Sequence, residues 1–447
     1  MLLSSSIYFV FLVAVLFLYW AVSRRRMAAL SVILLANYFF YAKWSLWYLL
    51  LIPAASTIDY LLGLGLQDSK NPVARRWMVG LSVVMNIGLL LTLRYGKGIA
   101  LPLTLSFYVF QALTYTIDLY RGDTKGTRSY LAHLSAVSFF PTTLAGPITR
   151  VSSLIDQMEK RKPLLEADGG RALFLIGMGL IKKFLIADYL SSNLVNRVFD
   201  FPTLYTGAET LLAVYAYAIQ IYCDFSGYTD MALGSALLLG IKLPPNFNQP
   251  YAAENIADFW RRWHISLSNW LRDYLYFSLP GKRTKVMPYL NLIVTMVLGG
   301  LWHGASWNFA VWGALHGVGL ALVRLWQTSF GATKATGLLR VVCIIFTFHF
   351  VAFAWIFFRA PDFATAWAIL GRIGSLSISF ENISAPLALV LLVGAVFHYV
   401  PRKWYEWSQA LFVKAPFYAQ AAALLLLVLG LQNVISNGAT PFIYTKF

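Results

Sequence analysis

The sequence predicts an all-α, polytopic membrane protein, and three observations predict it. Of 447 residues, 59% are hydrophobic and only 12% are charged, with a mean hydropathy of +0.63. A soluble domain carries about 25% charged residues, so a chain of this composition cannot cover its surface in water and needs lipid as its solvent. Apolar stretches also recur at the length of a bilayer-spanning helix, which takes about 20 residues. They lie at 5–22, 44–66, 78–93, 211–225, 286–301, 341–358, 384–400 and 417–431. Finally, the runs are continuous and do not alternate with period two, which excludes a barrel and leaves helices as the spanning element. With the shorter candidates between them, about eleven to thirteen transmembrane helices are expected, together with interfacial ones.

The first stretch resembles a signal peptide but has the wrong charge order. Residues 1–22 contain no Lys or Arg, and Arg24, Arg25 and Arg26 follow them. A cleavable signal has its positive charge before the apolar region. This helix is therefore expected to stay, with its N-terminus outside and the arginines inside. Lys and Arg outnumber Asp and Glu by 36 to 19, a formal +17. A nucleic-acid partner would account for that charge, but so does the positive-inside rule. The clusters sit at span ends (Arg24–26; Lys70, Arg75 and Arg76; Arg121, Lys125 and Arg128; Lys160 to Lys162), so no nucleic acid is expected.

The basic loop 401–414 is placed inside by the same rule. The last span then runs outward and leaves the tail 436–447 on the extracytoplasmic side. Two outside termini require an even number of crossings, so one of thirteen candidates is expected to be re-entrant or interfacial. No repeat, linker or soluble domain interrupts the chain, which reads as a single domain over 1–447. Cys223 and Cys343 lie in apolar runs as core residues, and no zinc spacing or other metal motif is present.

The segment 242–285 is too polar to cross, and such a segment is tolerated in lipid only at the interface or in a protein-lined cavity. Its prolines break any helix up to Pro250. From 255 to 276 the spacing predicts one amphipathic helix. Ile256, Trp260, Trp263, His264, Leu267, Leu271 and Tyr274 fall on one side; Arg261, Arg262, Asn269, Arg272 and Asp273 fall on the other. Aromatic and basic content of this kind suits a membrane interface. His264 faces the protein, either as a structural histidine or as a group meeting a polar ligand in a cavity. Arg261 and Arg262 suit the phosphates of an anionic donor, and equally suit lipid headgroups.

The second candidate site surrounds His303, which ends an apolar span between Gly299, Gly300, Gly304 and Ala305. Ionisable residues at membrane depth are expensive and mark functional sites by default. Small neighbours leave room beside the imidazole, and histidine is matched to general-base work near neutral pH. His316 lies in another apolar run, and His349 reads as packing. Asp224 and Asp230 flank a glycine near a span end and read as paired structural carboxylates; binding a metal or pairing with arginines are the alternatives. Gly63 with Gly65, and Gly177 with Gly179, are small-residue packing faces, since no strand precedes them as a dinucleotide fingerprint requires. No Gly-x-Ser-x-Gly elbow supports a self-contained serine esterase.

Five runs taken together resemble one family: FPTTLAGPITR at 140–150, DFSGYTDMA at 224–232, NFNQPY at 246–251, DFWRRWHISL with WLRDYLY at 258–276, and GGLWHGASW at 299–307. The chain resembles the membrane-bound O-acyltransferase (MBOAT) family, in the bacterial branch that acylates alginate and teichoic acids, with a motif-bearing core at about 140–320. The resemblance implies a ring of helices around a funnel open to the cytoplasm, with His303 in a thin central wall and His264 on the funnel side. It implies an acyl thioester donor, acetyl-CoA first among them, bound by Arg261, Arg262 and Trp302, and no metal. It also implies an extracytoplasmic esterase-like partner of the SGNH type, a polysaccharide acceptor, and a bacterial inner-membrane location. The terminal FIYTKF at 442–447 is similar to a short signature of these systems, in which Tyr444 would carry the acyl group. An interfacial aromatic anchor is the other reading of Tyr444. Rival functions are the transfer of D-alanine or another acyl group to a cell-wall polymer, a transporter or flippase using membrane histidines and aspartates as proton relays, and a non-catalytic scaffold. No pair of broken helices in matching halves favours transport.

Overall fold

The computed structural model describes residues 2–95, 104–143, 146–160, 163–280, 284–331 and 335–435. Among them every regular element is helical. The N-terminal part comprises α1 (Ser6–Val22), α2 (Arg26–Ala42), α3 (Tyr48–Asp68), α4 (Pro72–Tyr95) and α5 (Thr104–Arg121), then the short α6 (Tyr130–Val137), α7 (Phe140–Thr143) and α8 (Val151–Glu159). Next, α9 (Glu166–Leu180) runs on through π-helical turns at Ile181–Asp188 and Ser191–Val195 into α10 (Asn196–Asp200). The long α11 (Gly207–Leu238) is followed by α12 (Ile256–Arg262) and α13 (Ile265–Trp270). The remainder is α14 (Met287–His303), α15 (Trp307–Phe330), α16 (Gly337–Arg359), α17 (Phe363–Gly374), α18 (Ala385–Tyr399), α19 (Arg402–Lys414) and α20 (Phe417–Ile435).

The pillar of this arrangement is α11. It starts at a capping box, in which the Thr206 side chain accepts from the Glu209 N–H and Glu209 accepts from the Thr206 N–H. Of its 32 residues, 23 are buried, and a helix apolar or buried all round is a core helix. α1 lies along its second half, where Tyr8 donates to Ser235 Oγ at 2.7 Å and Trp20 Nε1 to the Leu238 carbonyl at 3.0 Å. α9 lies so close that a methyl at Gly227 would meet the Gly179 carbonyl at 2.8 Å, and one at Gly179 the Gly227 carbonyl at 2.6 Å. That is the small-residue face read from the sequence.

Fewer helices than the expected eleven to thirteen stand alone as spans. Among the described residues four are long and apolar enough, namely α3, Pro72–Thr92 of α4, α15 and α16, and α18 with α19 makes a fifth if a 96° bend is allowed. α1, α2 and Phe417–Leu431 are apolar but shorter. Length keeps those three below the mark, and elsewhere polarity hidden by packing does so: α11 carries Glu209, Asp224 and Asp230, and the π-helical continuation of α9 carries Lys182, Lys183 and Asp188. Glu209 is held by Thr206 and Asn382, and the lysines pair with the three aspartates. Lys183 Nζ lies 2.7 Å from Asp188 and 2.8 Å from Asp224, and Lys182 Nζ lies 2.6 Å from Asp230. The two aspartates thus pair with lysines, not arginines, and no group of three metal-ligating side chains occurs among the described residues.

The basic clusters meet on one side of the molecule. Arg26 pairs with Glu159, Arg128 with Asp68, and Arg75 donates to the Leu119 and Tyr120 carbonyls. Arg121 reaches the Asp273 carbonyl at 2.8 Å, Arg150 the Asp273 carboxylate at 3.2 Å, and Gln157 accepts from the Lys242 N–H at 2.8 Å. One face therefore gathers the loops that the positive-inside argument assigned to the cytoplasm. The tail 436–447 lies outside the described residues.

The lysine–aspartate cluster yields a prediction. Removing one partner of a buried ion pair leaves an uncompensated charge and costs about 3–5 kcal/mol. Lys183→Met is expected to collapse the yield of folded protein in detergent, measured by size-exclusion chromatography. Lys160→Met, which breaks an exposed pair with Asp156, is expected to change it by little.

Candidate active site

His303 is the last residue of α14, at the tip of the hairpin it forms with α15. The hairpin closes tightly because a methyl at Gly300 would collide with the Phe309 carbonyl and one at Gly313 with the Met296 carbonyl. Gly299 is not needed in that way, since a methyl there would meet Leu271 at an ordinary 3.4 Å. The imidazole is 3% exposed. Its centroid lies 4.6 Å from Trp302, 4.9 Å from Phe358 and 5.4 Å from Trp312. Both indoles are buried, and neither Trp302 Nε1 nor Trp312 Nε1 has a hydrogen-bond partner among the described residues. Buried donors of this kind are satisfied by protein, water or ligand.

The helix expected over 255–276 is broken at His264. Trp263 is extended, and His264 takes the left-handed conformation, with φ 41° and ψ 55°. The cause is a competing strand-like contact. Ile265 donates its N–H to the Asn246 carbonyl at 3.0 Å, and Asn248 donates to the Arg262 carbonyl at 2.9 Å. These bonds divert the backbone from the helix. A left-handed non-glycine residue costs about 1–2 kcal/mol, and such outliers cluster at functional sites. The two sides read from the sequence survive the break: Ile256, Trp260, Trp263, His264, Leu267, Leu271 and Tyr274 are all buried, while Arg261, Asn269 and Arg272 are exposed.

The hydrogen bonds at His264 fix its tautomer. Asn246 Oδ1 accepts from the Ser266 N–H at 3.1 Å and from Ser266 Oγ at 2.9 Å. A backbone N–H can only donate, so the amide oxygen, not the nitrogen, faces this side. His264 Nδ1, 3.2 Å from the same oxygen, therefore carries the proton. Nε2 is left as a bare acceptor with no partner among the described residues. Burial pushes the His264 pKa down to about 3, so the ring is neutral and basic at Nε2 throughout the physiological range.

Phe107 links the two histidines. Its ring stacks at 6.1 Å on His264 and stands edge-on at 5.9 Å to Trp302, which abuts His303. The other predicted residues lie apart. Arg262 pairs with Asp258 at 2.9 Å and Arg261 with the same carboxylate at 3.5 Å, both facing outward. His316 accepts from Trp260 Nε1 at 3.3 Å, and His349 meets Tyr215 at 2.9 Å and the Ile345 carbonyl at 2.8 Å. Both bind elements together, as packing histidines do. Tyr444 lies outside the described residues.

A cavity of about 600 Å³ opens beside this site on the basic side. Arg150, Lys242 and Arg272 line it against Asp273, with Thr114, Thr149 and Ser266 as further polar groups. Ser266 is the residue that shares Asn246 with His264. Sequence reasoning did not single out Arg150, Lys242, Asn246 or Lys183. Lys182 and Lys183 carried a usable signal, since two cations in an apolar run need buried partners. Asn246 opens one of the motif runs, but its role depends on a contact eighteen residues away that the sequence does not show.

The tautomer argument predicts an acid-sensitive variant. In Asn246→Asp a carboxylate beside the ring stabilises imidazolium and raises the His264 pKa. Activity is then expected to fall as pH drops from about 8 to 6, whereas the wild type keeps a neutral His264 there. A pH–rate profile of acyl transfer checks this, and an acid limb unchanged in Asn246→Asp would refute it. The same depressed pKa makes a stability statement. An unfolded His264 takes up its proton near pH 6.5 and the folded one near pH 3, so this group withdraws stability as pH falls through that window.

Comparison with known proteins agrees with these motifs. The model of the MBOAT, membrane-bound O-acyltransferase family matches residues 124–364, which include both histidines. A protein of Azotobacter vinelandii named "Probable alginate O-acetylase AlgI" is 35% identical over the full length of both chains. Its namesake in Pseudomonas aeruginosa is 38% identical over 82% of this chain and 74% of its own. The peptidoglycan O-acetyltransferase of Helicobacter pylori is 33% identical over 79% of this chain and 75% of its own. With a family match over more than half its length and relatives of this similarity, the chain belongs to the membrane-bound O-acyltransferase family and is a membrane acyltransferase.

Proposed function

We propose that this protein is an O-acetyltransferase of the bacterial inner membrane, which passes an acetyl group from a cytoplasmic CoA thioester to an extracytoplasmic polysaccharide. The observation that carries the reading is His303, a buried imidazole at a tight helical hairpin, flanked by the unpartnered N–H groups of Trp302 and Trp312. Relatives named for alginate and peptidoglycan acetylation support a polymer acceptor. The cavity lined by Arg150, Lys242 and Arg272 suits the phosphates of the donor, since charge-assisted bonds to phosphate are the strong ones. Arg261 and Arg262 share the Asp258 carboxylate and do not line that cavity, so they serve at most as an outer rim.

In this reading His303 is the general base and Trp302 Nε1–H donates to the acyl carbonyl oxygen as it gains negative charge. His264 offers Nε2 as an acceptor beside the donor. Tyr444 is the acceptor on the far side: its hydroxyl attacks the thioester carbonyl, His303 takes the phenolic proton, and the thiolate leaves. A phenol is a weak nucleophile at its free pKa of about 10 and needs such a base. The resulting aryl ester retains a good leaving group, so a serine of an SGNH-type partner collects the acetyl unit for the polymer.

His303→Ala is expected to reduce polymer acetylation about 100- to 10,000-fold while membrane abundance stays near wild type, measured by mass spectrometry of the polymer and immunoblot. Full acetylation in that variant would refute the role. Tyr444→Phe keeps the ring and removes the hydroxyl; an interfacial anchor tolerates it and a relay does not. Arg150→Gln and Arg272→Gln are expected to raise KM for the thioester several-fold with kcat little changed, as loss of uniform binding does.

A further inference from the structure

A second cavity of about 600 Å³ lies on the other side of the 245–249 segment, between α11, α18 and α19. Neither the acyl chemistry nor the donor uses it. Its wall holds four side chains at least nine-tenths buried, each with a polar atom lacking a hydrogen-bond partner among the described residues: Asn246 Nδ2, His398 Nδ1, Ser226 Oγ and Thr229 Oγ1. Two of these are donors by necessity. The Asn246 oxygen is turned towards Ser266, so its NH2 group is the free end. His398 Nε2 accepts from the Tyr251 N–H at 3.1 Å, so the neutral ring's proton is on Nδ1. The hydroxyls of Ser226 and Thr229 can also donate. The occupant must therefore present acceptor oxygens.

Charge and access narrow it further. Lys182 and Arg402 line the cavity; Lys182 pairs with the buried Asp230 at 2.6 Å, and Arg402 pairs through its Nε with Glu406 at 2.7 Å in an exposed contact, which is worth little and which an anion at the mouth can displace. The mouth is framed by Trp404 and Trp407 of α19, which turns 96° from α18. Trp404, Trp407 and Leu411 form an exposed stripe at helical spacing beside Lys403 and Lys414. A basic helix with such a stripe lies in the membrane interface, and tryptophan concentrates at headgroup depth. The cavity thus opens where lipid headgroups are, with Met178, Leu233 and Phe397 as its apolar lining.

We propose that this cavity binds the phosphate and glycerol-ester region of one anionic glycerophospholipid. The phosphate meets Lys182 and Arg402, and the ester carbonyls accept from Asn246, His398 and the two hydroxyls. The acyl chains leave past Trp404 and Trp407. Because one end of the Asn246 amide lines this cavity and the other fixes His264, a bound lipid also holds the segment that sets the tautomer of His264.

The test uses the full chain, stripped of lipid by detergent exchange and titrated with phosphatidylglycerol, read by native mass spectrometry and by thermal unfolding. One tightly held phosphatidylglycerol is expected, with a rise in Tm, and phosphatidylcholine is expected to bind at least several-fold more weakly. Ser226→Ala/Thr229→Val removes two hydroxyls without changing shape, and Arg402→Gln removes the cation at the mouth. Each is expected to weaken phosphatidylglycerol about tenfold, Arg402→Gln through one charge-assisted hydrogen bond and the double variant through two neutral ones. The double variant is expected to be at least as stable as wild type without lipid, because unpartnered buried hydroxyls are lost. Arg76→Gln, at an exposed cation away from the cavity, is expected to bind as wild type does. Equal binding by wild type and the double variant would overturn the proposal. So would the absence of any lipid held beyond a fast-exchanging annulus, or displacement of the lipid by a CoA thioester, which would assign the cavity to the donor.

Discussion

Hydrocarbon offers no water, so every polar group carried into it needs a partner supplied by the fold. That constraint explains the centre of the molecule. α11 crosses the interior with two aspartates, and the π-helical turn after α9 supplies two lysines and a third aspartate at contact distance. Widening an α-helix to a π-helix re-aims the side chains that follow it, and such bulges recur at functional sites. Here the widened stretch holds Lys182 and Lys183 against α11, while the mutual glycine contact at Gly179 and Gly227 brings the two backbones close enough for short ion pairs to form.

The same economy of partners singles out what is unsatisfied. Among the described residues several buried polar atoms without hydrogen bonds lie at the proposed sites, and others, such as the hydroxyls of Tyr38, Tyr41 and Tyr48 and both ring nitrogens of His133, lie elsewhere. Trp302 and Trp312 flank His303; the Nε2 of His264 and the amide of Asn246 lie at the break between α12 and α13; His398, Ser226 and Thr229 face the second cavity. Each group is expensive to leave unpaired, and these seven lie on the surfaces where substrate and lipid are proposed to sit. Asn246 joins two of these surfaces through a single amide plane, so the proposed lipid and the chemistry of His264 share one side chain.

A division of labour between the histidines follows from their supports. His303 is held among aromatic rings at a helix end. His264 is held by a hydrogen bond that dictates its proton, at the cost of a left-handed backbone. Phe107 and Trp302 form the aromatic layer between them. In the proposed reaction one histidine takes a proton and the other accepts a hydrogen bond beside the donor, and these supports match those tasks.

The sequence by itself determined the solvent, the helical class and the family, because composition, apolar run length and contiguous motifs are local properties of the chain, and it nominated the two histidines on which the proposed reaction rests. It also sorted the 255–276 segment correctly into buried and exposed sides, since periodicity survives a one-residue break. It did not determine that break, the number of helices long enough to stand alone as spans, or the partners of Asp224 and Asp230. Those depend on contacts between residues far apart in the chain: Asn246 with His264, Asp224 with Lys183, Arg150 with Asp273. Only the tertiary structure decided them, because a backbone conformation can be overridden, and a charge neutralised, by a group that packing brings close and sequence order does not.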